Sequence, residues 1–284
     1  FRSKSRMQVN LDHTINSGQV FLWEKIGPKW YGINGNDVLS INENNPKTIL
    51  SYQKSEYDLF REEDNYTKII KKISHDKIIK NAVQEFSGLR LLRQDPFQCY
   101  ISFIVSSNSS IQKIKLTLQK ILKKFGKKIS FEQKEFHLFP EPKTLSKASQ
   151  SELLSCGLGY RAEFVKKASE MASNGMIDFE FLKKSNYCTA KESLLGVHGI
   201  GNKVADCIML FSLDKLDAFP LDRWMIRILQ EHYPEKFSAE ARSLTDKKYE
   251  LFHDIANQYF GPYCGYSQQF LFKWIRDSNQ KKWL

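Results

Sequence analysis

Cysteine is scarce and scattered in this chain. The five cysteines, Cys99, Cys156, Cys188, Cys207 and Cys264, are odd in number and contain no Cys-x-x-Cys pair, so neither a disulfide framework nor a cysteine-based metal cluster is predicted. That usage fits a reducing compartment. Also absent are an apolar run of 18 residues and a signal-peptide pattern, which predicts a soluble, intracellular protein with no membrane partner. No internal repeat or low-complexity tract is found. Acidic residues fall short of basic ones, 32 against 43, for a formal charge of +11. Such an excess suits a polyanionic partner such as nucleic acid, although many basic proteins are merely soluble. At 284 residues the chain can build two or three packed units, since domains usually hold about 100–200 residues.

Turn residues crowd the beginning: Gly18, Gly27, Pro28, Gly32, Gly35 and Pro46 separate short aromatic and β-branched runs such as Gln19 to Trp23 and Trp30 to Ile33. These read as antiparallel strands, with Asn34-Gly35 as a hairpin turn. From Tyr57 onward the apolar spacing becomes helical, as in Ile69, Ile70, Ile73 and then Ile78, Ile79, Val83, Phe86. Asp95-Pro96 is a good N-cap and first-turn pair for a nearly all-apolar helix running to Val105. Ile111 to Phe125 reads as an amphipathic helix with a lysine-rich face, ended by Gly126; Ser151 to Cys156, stopped by Gly157, and Arg161 to Met171 are further helices. Glu132 to Lys143, with its two prolines, reads as a loop. The expected fold class is α+β: an N-terminal antiparallel sheet domain with helices over 1–86, then a mainly α-helical body over 87–284 with a helix-hairpin-helix at about 190–213.

The chemistry gathers around Gly199-Ile200-Gly201-Asn202-Lys203. A Gly-x-Gly turn opening into the helical run Asn202 to Leu213 aims unpaired backbone N–H groups at an incoming phosphate, with Gly199 and Gly201 as the contact and Lys203 at the helix start. Lys203 and Cys207, four apart, share a helix face, while Val204, Ile208 and Phe211 point into the protein. A nucleophilic lysine must first shed its proton, which the positive end of a helix favours. A lysine so placed could equally do no more than hold phosphate. Nineteen residues beyond Lys203 comes Asp222, after Pro220 and ahead of the periodic Trp224, Met225, Ile228 and Leu229. By itself it is a helix N-cap. Paired with the lysine, an ionised carboxylate there could stabilise an oxocarbenium-like sugar.

Leu195-Gly-Val-His-Gly-Ile-Gly-Asn-Lys-Val-Ala-Asp-Cys207, followed by Phe219-Pro-Leu-Asp222, resembles the helix-hairpin-helix and Gly/Pro-Asp signature of base-excision DNA glycosylases, specifically the 8-oxoguanine DNA glycosylase family. Ser17-Gly-Gln19, Leu89-Arg-Leu-Leu-Arg-Gln-Asp-Pro96, Ser106-Ser-Asn108, Gly157-Leu-Gly-Tyr-Arg-Ala162 and Gly261-Pro-Tyr263 also resemble family segments, in the family order. The resemblance spans roughly residues 11 to 275. It implies a DNA glycosylase with abasic-site lyase activity: Lys203 attacks C1′ of the damaged nucleoside, expels the base, forms a Schiff base and supports β-elimination, with Asp222 assisting. The lesion would be flipped out of the duplex.

The resemblance further implies that Phe272 and Cys207 sandwich the extruded base and that Gln268 reads its Watson–Crick edge. Gln268 and Phe272, four apart, project together from the last helix. Gly18 would offer its carbonyl to N7, which carries hydrogen in 8-oxoguanine and a lone pair in guanine. Without the family, Phe272 would read as core, Gln268 as surface and Ser17-Gly18 as an ordinary turn. Opposite the lesion, Asn108, Tyr160 and Arg161 would fill the vacated space and contact the estranged cytosine, although Tyr160 and Arg161 could equally be helix surface. The sequence departs from the family pattern at four places. Lys113 stands where an arginine usually reads cytosine, Ser109-Ser110 replace two asparagines, Trp224 replaces a phosphate-contacting histidine, and Leu22 stands where arginine is common. Lysine cannot form arginine's planar bidentate fork, so these departures leave the strictness of cytosine preference open.

The implied partner is double-stranded DNA containing an oxidised purine, bound by a monomer without cofactor, in the nucleus if the source is eukaryotic. Carbonyls of the Val197 to Gly201 hairpin could hold a monovalent cation at the phosphate contact, although the chemistry requires no metal. Two rival readings remain: a glycosylase for another damaged or mispaired base, and a catalytically silent helix-hairpin-helix DNA-binding protein. Iron–sulfur relatives need four closely spaced cysteines, and none follows Cys264. The lysine and aspartate together speak against a silent module.

Overall fold

The computed structural model describes residues 9–237 and 245–282, with side chains placed up to 278. A short helix, α1 (Leu11–Ile15), precedes an antiparallel meander of β1 (Trp23–Ile26), β2 (Lys29–Asn34), β3 (Asp37–Asn42) and β4 (Asn45–Ser51), paired in chain order. Trp23 faces Gly32 across β1 and β2, and a β-carbon at Gly32 would lie 2.0 Å from the indole. Glycine is therefore what lets the ring lie flat on the neighbouring strand. A small core beneath the sheet joins Leu11, Ile15, Trp30, Leu39, Ile41 and Phe60.

The strands depart from the expected boundaries in two ways. Gln19 to Leu22 is not a strand; β1 begins at Trp23. The reason is Gln19, whose buried amide donates to Thr14 O (3.0 Å) and Arg90 O (2.8 Å) and accepts from Leu92 N (2.8 Å). A side chain does there what a ladder would do. The hairpin turn is also one residue later than expected, with Asn34 and Asp37 paired across Gly35-Asn36. Gly35 has φ +63°, the left-handed value that two-residue hairpins require. That turn docks on the helical body, Gly35 N donating to Gln98 Oε1 (2.9 Å).

Helices α2 (Tyr66–Ile73) and α3 (Lys77–Glu85) follow. The helical spacing expected from Tyr57 takes effect only at Tyr66, because Arg61 adopts φ +56° and its guanidinium pairs with Asp64 (2.7 Å) and Asp214 (2.5 Å). Next come α4 (Pro96–Ser106) and α5 (Ile111–Phe125). Asp95 caps α4 as expected, accepting from Gln98 N (2.7 Å), and every residue of α4 after Pro96 is buried. That central helix packs on α5 and on two later helices, Arg161–Ser173 and Asn202–Ser212.

Only 138–141 of the expected 132–143 loop lacks regular structure; its first part is the turn and second strand of a hairpin, β5 (Lys128–Phe131) paired with β6 (Lys134–His137). Its turn residues, Glu132 and Gln133, take φ +45° and +63°. Neither is glycine or asparagine, so no turn signature marked it. Pro142 then opens α6 (Pro142–Lys147), followed by α7 (Gln150–Ser155), α8 (Arg161–Ser173), α9 (Phe179–Lys184), α10 (Tyr187–Leu195), α11 (Asn202–Ser212), α12 (Arg223–His232), α13 (Asp246–Phe260) and α14 (Cys264–Lys282). Helix α14 returns to pack on α2 and α3 as well as α12 and α13, which closes the ring of elements around one cleft. No helix among the described residues is long and apolar enough to cross a membrane.

Candidate active site

The cleft has a volume of about 1100 Å³ and is walled by the Asn16–Gly18 turn, the ends of α4 and α5, the hairpin before α11, the start of α12 and the middle of α14. Of the residues singled out in the sequence, Gly18, Asn108, Gly199, Gly201, Lys203, Asp222 and Phe272 line it. Four loops and the first turns of four helices, α5, α11, α12 and α13, therefore converge from positions some 250 residues apart in the chain.

Gly199 holds the hairpin at φ +92°, and a β-carbon there would lie 2.4 Å from the Phe164 ring. Gly201 is the N-cap of α11 and has open space beside its α-carbon. The unpaired N–H groups of the first turn thus face the cleft unobstructed. Lys203 is half-buried in that turn, its Nζ 5.5 Å from the centre of the Phe103 ring. Cys207, one turn on, is buried beneath it, and burial pushes its thiol up to about 11 against the pull of the Lys203 cation. It is a neutral, apolar floor and not a thiolate. Of the five cysteines only Cys188 is exposed, so a thiol reagent at pH 8 is expected to modify one site in the native protein and five after denaturation.

Asp222 is both N-cap and cleft residue: its carboxylate accepts from Met225 N (2.8 Å) and reaches the same space as Lys203. Gln268 is buried, donating from Nε2 to Pro220 O (3.2 Å), while its Oε1 is buried without a partner. Gly18, at φ +90°, is so close to Phe272 that a β-carbon would sit 3.1 Å from Cε1 of the ring. Turn and ring thus form one corner of the cleft.

Tyr160, Arg161 and Lys113 lie off the cleft wall. Tyr160 is 57% exposed at the start of α8, stacked by the Arg161 guanidinium at 4.6 Å. Arg161 itself is buried, giving Nε to Ser107 O (2.7 Å) and Nη2 to Asn108 O (3.0 Å). It props the Ser107–Asn108 turn, in which Asn108 has φ +48°. Lys113 is exposed in the first turn of α5. Trp224, half exposed, lines the cleft beside Asp222, and Leu22 packs against the main core.

A buried polar network behind the site escaped the sequence reading. Asp206 is fully buried and accepts from Lys191 Nζ (2.6 Å), Tyr187 OH (2.8 Å) and Tyr249 OH. Tyr249 OH accepts in turn from Leu221 N (3.1 Å), the residue before Asp222. Burial and the Asp206 charge hold both tyrosines far above their ordinary value, so both remain donors. The helix of Lys203 and the loop of Asp222 are thereby tied to one anion. The one available signal was a carboxylate inside the apolar run Val204 to Phe211. Among the described residues, no group of three or more His, Cys, Asp or Glu side chains could hold a metal ion.

Comparison with known proteins accords with this geometry. Residues 3–100 match the 8-oxoguanine DNA glycosylase N-terminal domain and residues 101–252 match the HhH-GPD superfamily of base excision DNA repair proteins. A probable N-glycosylase/DNA lyase of Methanothermobacter thermautotrophicus is 32% identical over 82% of this chain and 76% of its own length. The N-glycosylase/DNA lyase OGG1 of Arabidopsis thaliana is 28% identical over 93% and 77%. The Clostridium acetobutylicum 8-oxoguanine glycosylase/lyase, solved with double-stranded DNA containing cytosine opposite 8-oxoG, superposes with a TM-score of 0.85 at 30% identity, covering 96% of this chain and 93% of that one. A 3-methyladenine DNA glycosylase from Archaeoglobus fulgidus, at 18% identity and a TM-score of 0.71, shares the fold alone. The chain belongs to the 8-oxoguanine DNA glycosylase family, within the HhH-GPD superfamily of base excision DNA repair proteins.

Proposed function

We propose that the protein excises 8-oxoguanine from duplex DNA and then nicks the strand, with Lys203 as nucleophile and Asp222 as its electrostatic partner. The observation that carries the assignment is the meeting of Lys203 and Asp222, each at a helix N-terminus, in the cleft that Gly18 and Phe272 also line. The neutral Lys203 amine bonds to C1′ while the C1′–N9 bond breaks and its electron pair leaves with the base. The departing base then takes a proton from the new ammonium. The C1′–O4′ bond then breaks, O4′ taking a proton from solvent while the nitrogen lone pair forms the Schiff base, and loss of a C2′ proton to solvent expels the 3′ phosphate. Asp222, fixed in place as the N-cap of α12, stabilises positive charge at C1′.

Phe272 stacks on the flipped base, Cys207 lies under its other face, Gln268 reads its edge, and the Gly18 carbonyl accepts the N7 hydrogen. Support comes from the Gly18–Phe272 contact and from the unpartnered Gln268 Oε1. Phe272→Ala is expected to slow single-turnover excision by about ten- to a hundredfold, one base–aromatic stack being worth about 1–3 kcal/mol; wild-type kinetics would remove Phe272 from the pocket.

Asn108 and Tyr160 fill the space left by the flipped nucleotide, Gly199 and Gly201 grip its phosphate, and Arg161 acts by supporting the Asn108 turn. Lys113 faces the opposite strand, and its ammonium cannot form the planar fork of arginine. Duplexes carrying each of the four bases opposite 8-oxoguanine test the assignment: base release and nicking are expected with all four, cytosine preferred by less than about tenfold, where a bidentate pair is worth about 1–3 kcal/mol. Release of no base would sink the assignment, and a preference above a hundredfold would mean that another group reads cytosine. One chain supplies every proposed site residue, consistent with a monomer, and a genomic substrate places the protein inside the cell, in the nucleus of a eukaryote. The sheet domain is taken to end at residue 86, with the glycosylase body following.

A further inference from the structure

Arg276 lies one turn beyond Phe272 on α14 and reaches back over the corner where Gly18 sits. Its Nη2 donates to the Asn16 carbonyl, and its guanidinium carbon lies 5.8 Å from the centre of the Phe272 ring. Its Nη1 is 3.0 Å from the point a Gly18 β-carbon would occupy, and makes no hydrogen bond among the described residues. The side chain lines the cleft and keeps 21% of its surface open. A cationic donor is thus fixed at one end, stacked on an aromatic ring, and open at the other end beside the Gly18 turn.

The chemistry of the lesion says what that donor can meet. With the N7 hydrogen on the Gly18 carbonyl, the next ring atom is C8, whose oxygen projects from the same edge of the base. That oxygen is what separates 8-oxoguanine from guanine, which has only C8–H there. When the C1′–N9 bond breaks, the electron pair on N9 is shared with O8 through the N9–C8=O8 unit, so negative charge grows on O8 during excision. We infer that Arg276 donates from Nη1 to O8 of the flipped base and stabilises the leaving-group anion. This makes Arg276 a catalytic and specificity residue of the same pocket. The inference rests on Gly18 and Phe272 forming the base pocket.

The test compares single-turnover excision of 8-oxoguanine and of 8-thioguanine, which keeps N7–H but replaces the strong acceptor O8 with sulfur, a weak one, by wild type, Arg276→Leu and Arg276→Lys. Wild type is expected to favour the oxygen base. Arg276→Leu should lose tenfold or more on 8-oxoguanine and lose that oxygen preference, and Arg276→Lys should recover part of both. Nicking of a preformed abasic site, where no base meets Arg276, reports whether the fold and Lys203 survive; should Arg276→Leu fail there, Arg276→Lys carries the comparison. A preserved oxygen preference in the variants would reduce Arg276 to a support for the Asn16 turn. Better rejection of normal guanine by Arg276→Leu would mean that the guanidinium meets N7, and either result overturns the inference. Failure of the pocket itself shows separately, as Phe272→Ala with wild-type kinetics.

Discussion

Lys203→Gln is expected to abolish covalent capture of the protein on 8-oxoguanine DNA under borohydride and to lower excision by a factor on the order of 10³ or more, while duplex affinity changes by less than about threefold. The asymmetry follows from where the binding energy resides. Phosphate contacts of the hairpin come from backbone N–H groups at Gly199 and Gly201, which the substitution leaves in place. Glutamine keeps the length and polarity of the side chain beside Phe103 but cannot form an iminium. A parallel loss of binding would instead make Lys203 a phosphate grip, the alternative that its position in the first helical turn leaves open.

Asp206→Asn is expected to destabilise the fold more than any exchange on the cleft surface. Its carboxylate is fully buried and is the acceptor for Lys191, Tyr187 and Tyr249. Asparagine keeps the shape but leaves the Lys191 ammonium, 11% exposed, without a counter-charge. Breaking a buried pair in this way costs about 3–5 kcal/mol, which lowers the thermal midpoint by roughly 10 °C for a body of this size. Because Tyr249 also holds Leu221 N, the residue before Asp222, excision should fall below what the loss of folded protein explains. A midpoint within about 2 °C of wild type would show that the network adds little to stability.

The parts of this molecule that the sequence foretold are those specified by neighbours in the chain. Asp95-Pro96 begins α4 and Asp222 caps α12, each through a contact three residues away. The helix-hairpin-helix is local in the same sense. What was missed depends on partners far along the chain or on unusual backbone. Gln19 replaces strand pairing through contacts more than 70 residues distant, and the β5–β6 turn uses positive φ at glutamate and glutamine. Asp206 finds partners 15, 19 and 43 residues away. Arg276 meets the Asn16 turn across 260 residues. No periodicity or turn signature encodes such meetings; packing does.

The most direct measurement is borohydride treatment of the wild-type protein on a duplex containing a single 8-oxoguanine opposite cytosine. A covalent protein–DNA adduct, formed in step with release of free 8-oxoguanine and mapping to Lys203 by peptide mass, is the expected result. Release of the base with no adduct, or an adduct on any other residue, would contradict Lys203 as the nucleophile.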